Sequence, residues 1–363
     1  MTDHAYLKAE AQALQADQQA TRPAEAAVVR IADVLARKVE WLWRARIPYG
    51  KLTVFDGDPG VGKSTLFIDL AARVTTGTPM TGETGRRPPA SVIMLSAEDD
   101  IADTIRPRLE AAGADLDRVF IFDHVLDGGE SRPPELPRDL PLIHAKIQEL
   151  NAQLVTVDPL MAFLGADIRT GIDHHVRRAL HPAKDIAEQT RAALLVARHL
   201  NKGGDSGALY RGGGSIGIAG AARSVLTVGA NPNQPSQYVL AATKVNLAAK
   251  PGSLAYRLVE DELREVPRIL WEGPVDLDAD ALVVRPERET PERQEAAGFL
   301  RDELDKGPAR WETLAKLARQ QDIAEHTLRR AREAMKARGE VDKRQHGQPG
   351  EPGTFWEWFL PGH

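Results

Sequence analysis

The sequence predicts an α/β fold built on a mostly parallel central sheet, with a small helical unit appended at the C-terminal end. Three observations carry this expectation. Short apolar runs of strand length alternate with helix-patterned segments from Leu52 to about residue 243, the order that lays helices on the faces of a parallel sheet. Gly57–Thr65 reads GDPGVGKST between the first of those runs and a helical segment beginning near Lys63, so strand, loop and helix follow in phosphate-binding order. After a charged, Pro-containing stretch at 285–291 the pattern changes to three helices and two short strands, the signature of a second unit.

Length and composition agree. The chain has 363 residues, room for one large domain and one small one, and its 42% hydrophobic and 27% charged content is that of a soluble globular protein. With no cysteine, disulfide frameworks and thiolate metal sites are excluded and a cytoplasmic setting is expected. No basic-then-apolar leader opens the chain, and no apolar run approaches the ~18 residues of a membrane span. At a formal net charge of −5, nucleic acid would have to be met locally, on a basic stripe or in a ring pore.

Taken in order, residues 1–38 form an N-terminal extension. Residues 1–26, rich in Ala, Gln and Glu, suit a solvated helix or tail, or a segment packed on a neighbouring subunit. Helical spacing strengthens from Ile31 to Trp43, where Trp41 and Trp43 either anchor the lead-in or place one ring near a nucleotide base. The main domain spans 39–273, with strands expected at 52–55, 91–96, 119–122, 154–158, 193–197, 224–229 and 238–243, and β segments at 254–259 and 269–271. Helices are expected from Lys63 to about Val74, and over 101–112, 142–151 and 173–189; Gly- and Pro-rich loops fill 127–141 and 203–217. A linker at 274–291 leads to residues 292–363, whose helices (292–305, 312–320, 323–338) and strands (340–343, 354–360) have winged helix-turn-helix order.

The chemistry sits at strand ends. Gly57, Asp58, Pro59, Gly60, Val61, Gly62, Lys63, Ser64 and Thr65 form a phosphate cradle, with Lys63 as the charge facing the β- and γ-phosphates and Ser64 as a Mg²⁺ ligand. Asp158 closes the strand LVTVD, where a carboxylate would hold the metal through its water shell; capping a helix that starts at Pro159 is the alternative. Glu98, after VIMLSA, is the candidate for activating water, provided its strand neighbours the cradle strand, with Asp99 and Asp100 as competitors. His199 follows ALLVAR and would sense the γ-phosphate or be merely structural. The loop with Lys202 and Arg211 suits contact with a DNA backbone or a plain connection. Arg211, Arg223 and Lys244 are candidates for a cation supplied in trans to a neighbour's active site, or for surface ion pairs. In the C-terminal unit, Ala324, Leu328, Ala331 and Met335 share an apolar face, and Arg329, Arg332 and Lys336 share a basic one that either reaches DNA phosphates or is simply solvated. Trp356, Trp358 and Leu360 alternate with Phe355 and Phe359, as in an anchored terminal strand.

The set WLWRARIPYGKLTVFDGDPGVGKST, LSAEDD with RPRL, LVTVDPL, ARHLNK, RGGGS with AARSVL, and TKVN, spanning about Val39 to Asn246, resembles the RepA-like branch of the RecA-type ATPases, whose plasmid members are hexameric replicative DNA helicases. The resemblance implies a RecA-like core that assembles as a hexameric ring, with ATP and Mg²⁺ bound between subunits and single-stranded DNA in the channel.

 By position, Lys63, Ser64 and Thr65 match the cradle residues, Glu98 the catalytic glutamate, Asp158 the metal-holding acid and His199 the sensor histidine. The plasmid helicases are essentially a single RecA-like domain, whereas this chain adds a C-terminal unit through which duplex DNA would be contacted. Two functions follow: an ATP-driven, DNA-associated helicase of a plasmid, phage or integrated element, or an ATP-switched DNA-binding regulatory or partition-like protein that does not unwind.

Overall fold

The computed structural model describes residues 28–201, 207–283, 291–347 and 354–361. The expectations for residues 1–26, for Lys202 and for most of the charged stretch at 285–291 lie outside the described residues. The chain divides into two compact units, Met1–Ala279 and Asp280–His363.

In the first unit, Trp41–Trp43 (β1) and Ile47–Pro48 (β2) pair as a hairpin and lead into Leu52–Gly57 (β3). Trp43 is buried edge-to-face against Trp271, and its indole N–H donates to the Thr81 carbonyl, so this ring anchors the lead-in. Next come Ser91–Ser96 (β4), Val119–Ile121 (β5), Val125–Asp127 (β6), Glu130–Arg132 (β7), Ala152–Asp158 (β8), Ala193–His199 (β9), Ser224–Ala230 (β10), Tyr238–Val245 (β11), Ser253–Asp261 (β12) and Val266–Val275 (β13). The central sheet has the order β13-β12-β11-β10-β3-β9-β8-β4-β5. Strands β10, β3, β9, β8, β4 and β5 run parallel, and β11 to β13 extend the sheet antiparallel from β10. The segments expected at 254–259 and 269–271 therefore belong to the same sheet.

Strand β3 is buried along its whole length, as a central strand covered on both faces must be. Its residues alternate between two cores. Phe55 joins Leu66, Phe67, Leu70 and Val74 of the helix Lys63–Thr76, whereas Leu52 and Val54 join Ile143 and Ile147 of the helix Leu140–Leu150 and Val176 and Leu180 of the helix Asp173–Thr190. Gly77, left-handed at φ 72°, ends the first of these helices at Thr76, just ahead of Thr78 and Pro79 and two residues beyond the expected end near Val74.

Two local expectations fail. The helical spacing from Ile31 to Trp43 yields only a single 3₁₀ turn, Ile31–Asp33, followed by β1. Val28, Val29, Ile31 and Leu35 stay exposed, and a short amphipathic segment whose apolar side is not packed does not hold a helix. The loop expected at 127–141 contains the β6–β7 hairpin, locked where Arg132 donates twice to Asp139 at 2.6 Å.

The second unit contains the helices Pro291–Asp305, Trp311–Gln320 and Glu325–Ala337, with Ala309–Arg310 (β14), Asp342–His346 (β15) and Phe355–Phe359 (β16) forming an antiparallel sheet of order β14-β16-β15. Its core gathers Phe299, Leu300, Leu314, Leu328, Met335 and Trp358. Leu328, Ala331 and Met335 are buried as their shared face predicts, but Ala324 is exposed because it precedes the helix as its N-cap.

Candidate nucleotide site

The parallel strands deliver their carboxyl ends to one edge, and the residues singled out in the sequence meet there. After β3 the backbone turns through Gly60 and Gly62, left-handed at φ 80° and 88°, into the helix Lys63–Thr76. A side chain at Gly62 would be strained by that φ and would press on Leu258, 3.0 Å from the Cβ position. From the same side the Tyr256 hydroxyl donates to the Val61 carbonyl at 2.6 Å. The loop is thus braced from below by β12.

Lys63 folds back into this cradle. Its ammonium donates to the carbonyls of Gly57 at 2.8 Å and Asp58 at 2.9 Å, and lies 3.3 Å from His199 Nδ1. Burial pushes its pKa down, opposed by the charges of Asp158, Asp56, Asp58 and Glu98. His199 in turn sets its Nε2 3.9 Å from Glu98 Oε1. A line of three groups, Lys63, His199 and Glu98, therefore crosses the edge.

Glu98 arrives by a route other than the expected one. Its strand β4 is not next to β3; β9 and β8 intervene. The turn after β4 brings it back, tied down where the Ala97 amide donates to the Asp158 carbonyl at 3.1 Å. The competing acids are engaged elsewhere: Asp99 pairs with Arg108 at 2.9 Å, and Asp100 accepts from the amides of Ala102 and Asp103 as a helix cap.

Asp158 lies beside Ser64 and does not cap a helix, since the following turn Leu160–Phe163 has Pro159 at its N-cap and no side-chain cap. Burial pushes the Asp158 carboxyl up, against the Ser64 hydroxyl and the Lys63 charge. A hydroxyl beside a carboxylate is a hard-oxygen pair suited to Mg²⁺. Among the described residues no group of three or more His, Cys, Asp or Glu forms a metal cage; the pair suits an ion that takes its other ligands from phosphate and water. The glycine turns and the donor pair together fit a magnesium-bound nucleoside triphosphate.

The three cation candidates fare differently. Arg211 is buried and donates to the Asn201 carbonyl at 3.3 Å. Lys244 donates to the carbonyls of Ala219 and Ala222 at 2.8 and 2.9 Å, and burial, followed by the charges of Arg223 and Arg177, pushes its pKa down. Arg223 is exposed.

On the third helix of the second unit, Arg329 and Lys336 are exposed, with Arg329 paired to Glu325 at 2.8 Å. Arg332 does not share their open face: its guanidinium lies between the rings of Trp311 and Trp358, 4.2 and 4.4 Å from their centroids. Arg330, a residue that the spacing argument omitted, is exposed. Trp356, expected to share an anchoring face with Trp358, is exposed with Lys343 Nζ 4.3 Å from its ring.

Sequence reasoning also missed Asp56 and Arg198, which form an ion pair inside the sheet, 0% and 1% exposed. The available signal was a charge ending each of two apolar runs, LTVFD and LLVAR.

Residues 17–205, just over half of the chain, match the AAA domain family. The chain is 27% identical over 157 residues to the DNA repair protein RadA of Bacillus subtilis and 31% identical over 161 residues to the DNA repair protein RadA of Mycolicibacterium smegmatis. Each alignment covers 43% of this chain and 29% of the relative, so the chain spans less than a third of the length of these curated relatives.

Proposed function

The chain belongs to the AAA domain family, and from that premise we propose that it is an ATP-hydrolysing, DNA-associated RecA-like motor, specifically a ring-forming replicative helicase of the RepA type. The observation that carries the reading is the line Lys63–His199–Glu98, with contacts of 3.3 and 3.9 Å. It joins the cradle's cation to an exposed carboxylate through a residue able to hydrogen-bond both, the arrangement hydrolysis needs at the end of a phosphate chain.

In this reading the loop amides and Lys63 bind the phosphates, and Ser64 and Asp158 hold Mg²⁺. Bound Mg²⁺ supplies neutralisation of phosphate charge. Glu98 orients a water and accepts its proton at Oε1, and His199 registers whether the terminal phosphate is present. Arg223, the exposed member of the three cation candidates, would complete a neighbouring subunit's site in a hexameric ring whose channel takes single-stranded DNA. The RadA relatives, named as DNA repair proteins, support an association with DNA.

The test is ATP turnover and strand displacement by the purified protein, with and without single-stranded DNA. Stimulated turnover with displacement is expected. Turnover unchanged by single strands, together with binding to one duplex sequence, would instead favour the second reading, an ATP-switched DNA-binding regulatory protein. One observation speaks for that alternative: the second unit has winged-helix element order, with Arg330, Lys336, Lys343 and Arg344 exposed on its third helix and terminal hairpin.

A further inference from the structure

Asp56 and Arg198 face each other in register across β3 and β9. Arg198 Nε donates to Asp56 Oδ1 at 2.7 Å and Nη2 to Oδ2 at 2.6 Å, a bidentate fork with neither residue reaching solvent. Buried ion pairs are poor devices for stability, because a well-packed apolar pair often does as well. The location of this one says more. Asp56 is the residue before Gly57, where the cradle begins, and Arg198 is the residue before His199.

The guanidinium has a third contact, Nη1 to the Ser215 carbonyl at 3.4 Å. Between these contacts the segment Arg211–Ser215 lies across the end of β9 as a strap. The Gly213 amide donates to the His199 carbonyl at 2.6 Å, the Asn201 amide to the Arg211 carbonyl at 2.7 Å, and Asn201 Nδ2 to the Gly212 carbonyl at 3.3 Å. Gly212 passes so close that a Cβ there would fall 1.9 Å from Arg198 Nη2. Cradle strand, His199 and strap are thus pinned at one guanidinium.

We propose that Asp56 and Arg198 are positioning residues for ATP turnover: the fork fixes the end of β9 and the glycine strap over it, and so holds His199 in line between Lys63 and Glu98. Neither residue touches the nucleotide; each acts through His199. The inference rests on the ATP-hydrolysis reading above.

The test is Arg198→Lys, which keeps the charge opposite Asp56 but loses the planar fork and its reach to Ser215. The folded variant should bind a fluorescent ATP analogue within about threefold of wild type, while kcat falls by about 10²-fold, the cost of a misplacement near 1 Å. Amide exchange at Gly213 should rise. Gly212→Ala should reproduce the kcat loss by displacing the guanidinium, and in the Arg198→Lys background the alanine should add nothing further. Should Arg198→Lys not fold, Gly212→Ala alone carries the comparison, with loss of kcat and faster Gly213 exchange expected. Wild-type turnover with undiminished kcat in these variants, or unchanged Gly213 exchange, overturns the proposal. A wild-type protein that binds ATP without hydrolysing it overturns the hydrolysis reading instead, and Gly213 exchange still decides whether Arg198 holds the strap.

Discussion

The edge of the sheet and the third helix of the C-terminal unit both concentrate charge, and they dispose of it in opposite ways. At the edge, Lys63, Asp158, His199 and Glu98 meet with few and directional partners, and burial pushes the Lys63 pKa down and the Asp158 pKa up. On the helix Glu325–Ala337, Arg329 is paired to Glu325 and Arg332 is sandwiched between tryptophans. The first set is poised for a ligand, and much of the second already serves the fold. Charge density alone does not identify a site; what matters is whether the charges are already answered within the chain.

The sharpest way to break this contrast is at the edge. Lys63→Ala should abolish binding of a fluorescent ATP analogue, and Glu98→Gln should keep that binding while lowering kcat by about 10²- to 10⁴-fold, the usual worth of a general base; near-normal turnover in Glu98→Gln would remove Glu98 from the chemistry. On the helix, Arg332→Ala should act through stability, costing about 1–2 kcal/mol in urea melting through two lost ring contacts and lost packing. If Arg332→Ala left stability intact but weakened duplex binding, the residue would belong with the phosphate contacts after all. Conversely, Arg330→Ala should leave stability within about 0.5 kcal/mol and, if the second unit binds duplex DNA, reduce the slope of log affinity against log salt by about 1.

The smallest expected effect concerns Asp158. Its native pKa is raised by burial, so its ionisation costs the folded, nucleotide-free protein stability. That cost is absent below the unfolded carboxylate value, sets in as pH rises through the raised native value, and is complete above it. Asp158→Asn should therefore melt slightly higher than wild type near neutral pH, by about 0.5–1 kcal/mol of stability, and the difference should vanish in acid. Calorimetry across that range checks the sign. A variant that is less stable at neutral pH would show that the Ser64 hydroxyl outweighs the burial.

The edge was legible in the sequence because its geometry is set by topology. Each of the runs LTVF, VIML, LVTV and LLVA became one parallel strand, and parallel strands bring their carboxyl ends to the same side. Glu98 shows the limit: its order in the chain was informative, but the expected adjacency of its strand to β3 was not met, and a turn of backbone supplied the approach. Asp56 and Arg198 were not legible as a pair, since they are 142 residues apart and meet only once β3 and β9 are known to be neighbours. Arg332 was misassigned because helical spacing gives angles, whereas the position of Trp358 is decided by β16, a strand later in the chain. The apolar spacing from Ile31 to Trp43 gave no helix because spacing supplies a face and not the surface that must cover it.

The brace beneath the cradle bears on how much chain makes a working unit. The portion matching the AAA domain family ends at residue 205, yet the turn at Val61 and Gly62 is supported by Tyr256 and Leu258, and β3 is flanked by β10. A chain cut at the family boundary would keep every phosphate-facing residue and lose the wall they lean on. The recognisable motif and the chain that braces it are different lengths of polypeptide, and the bracing chain extends at least to Leu258.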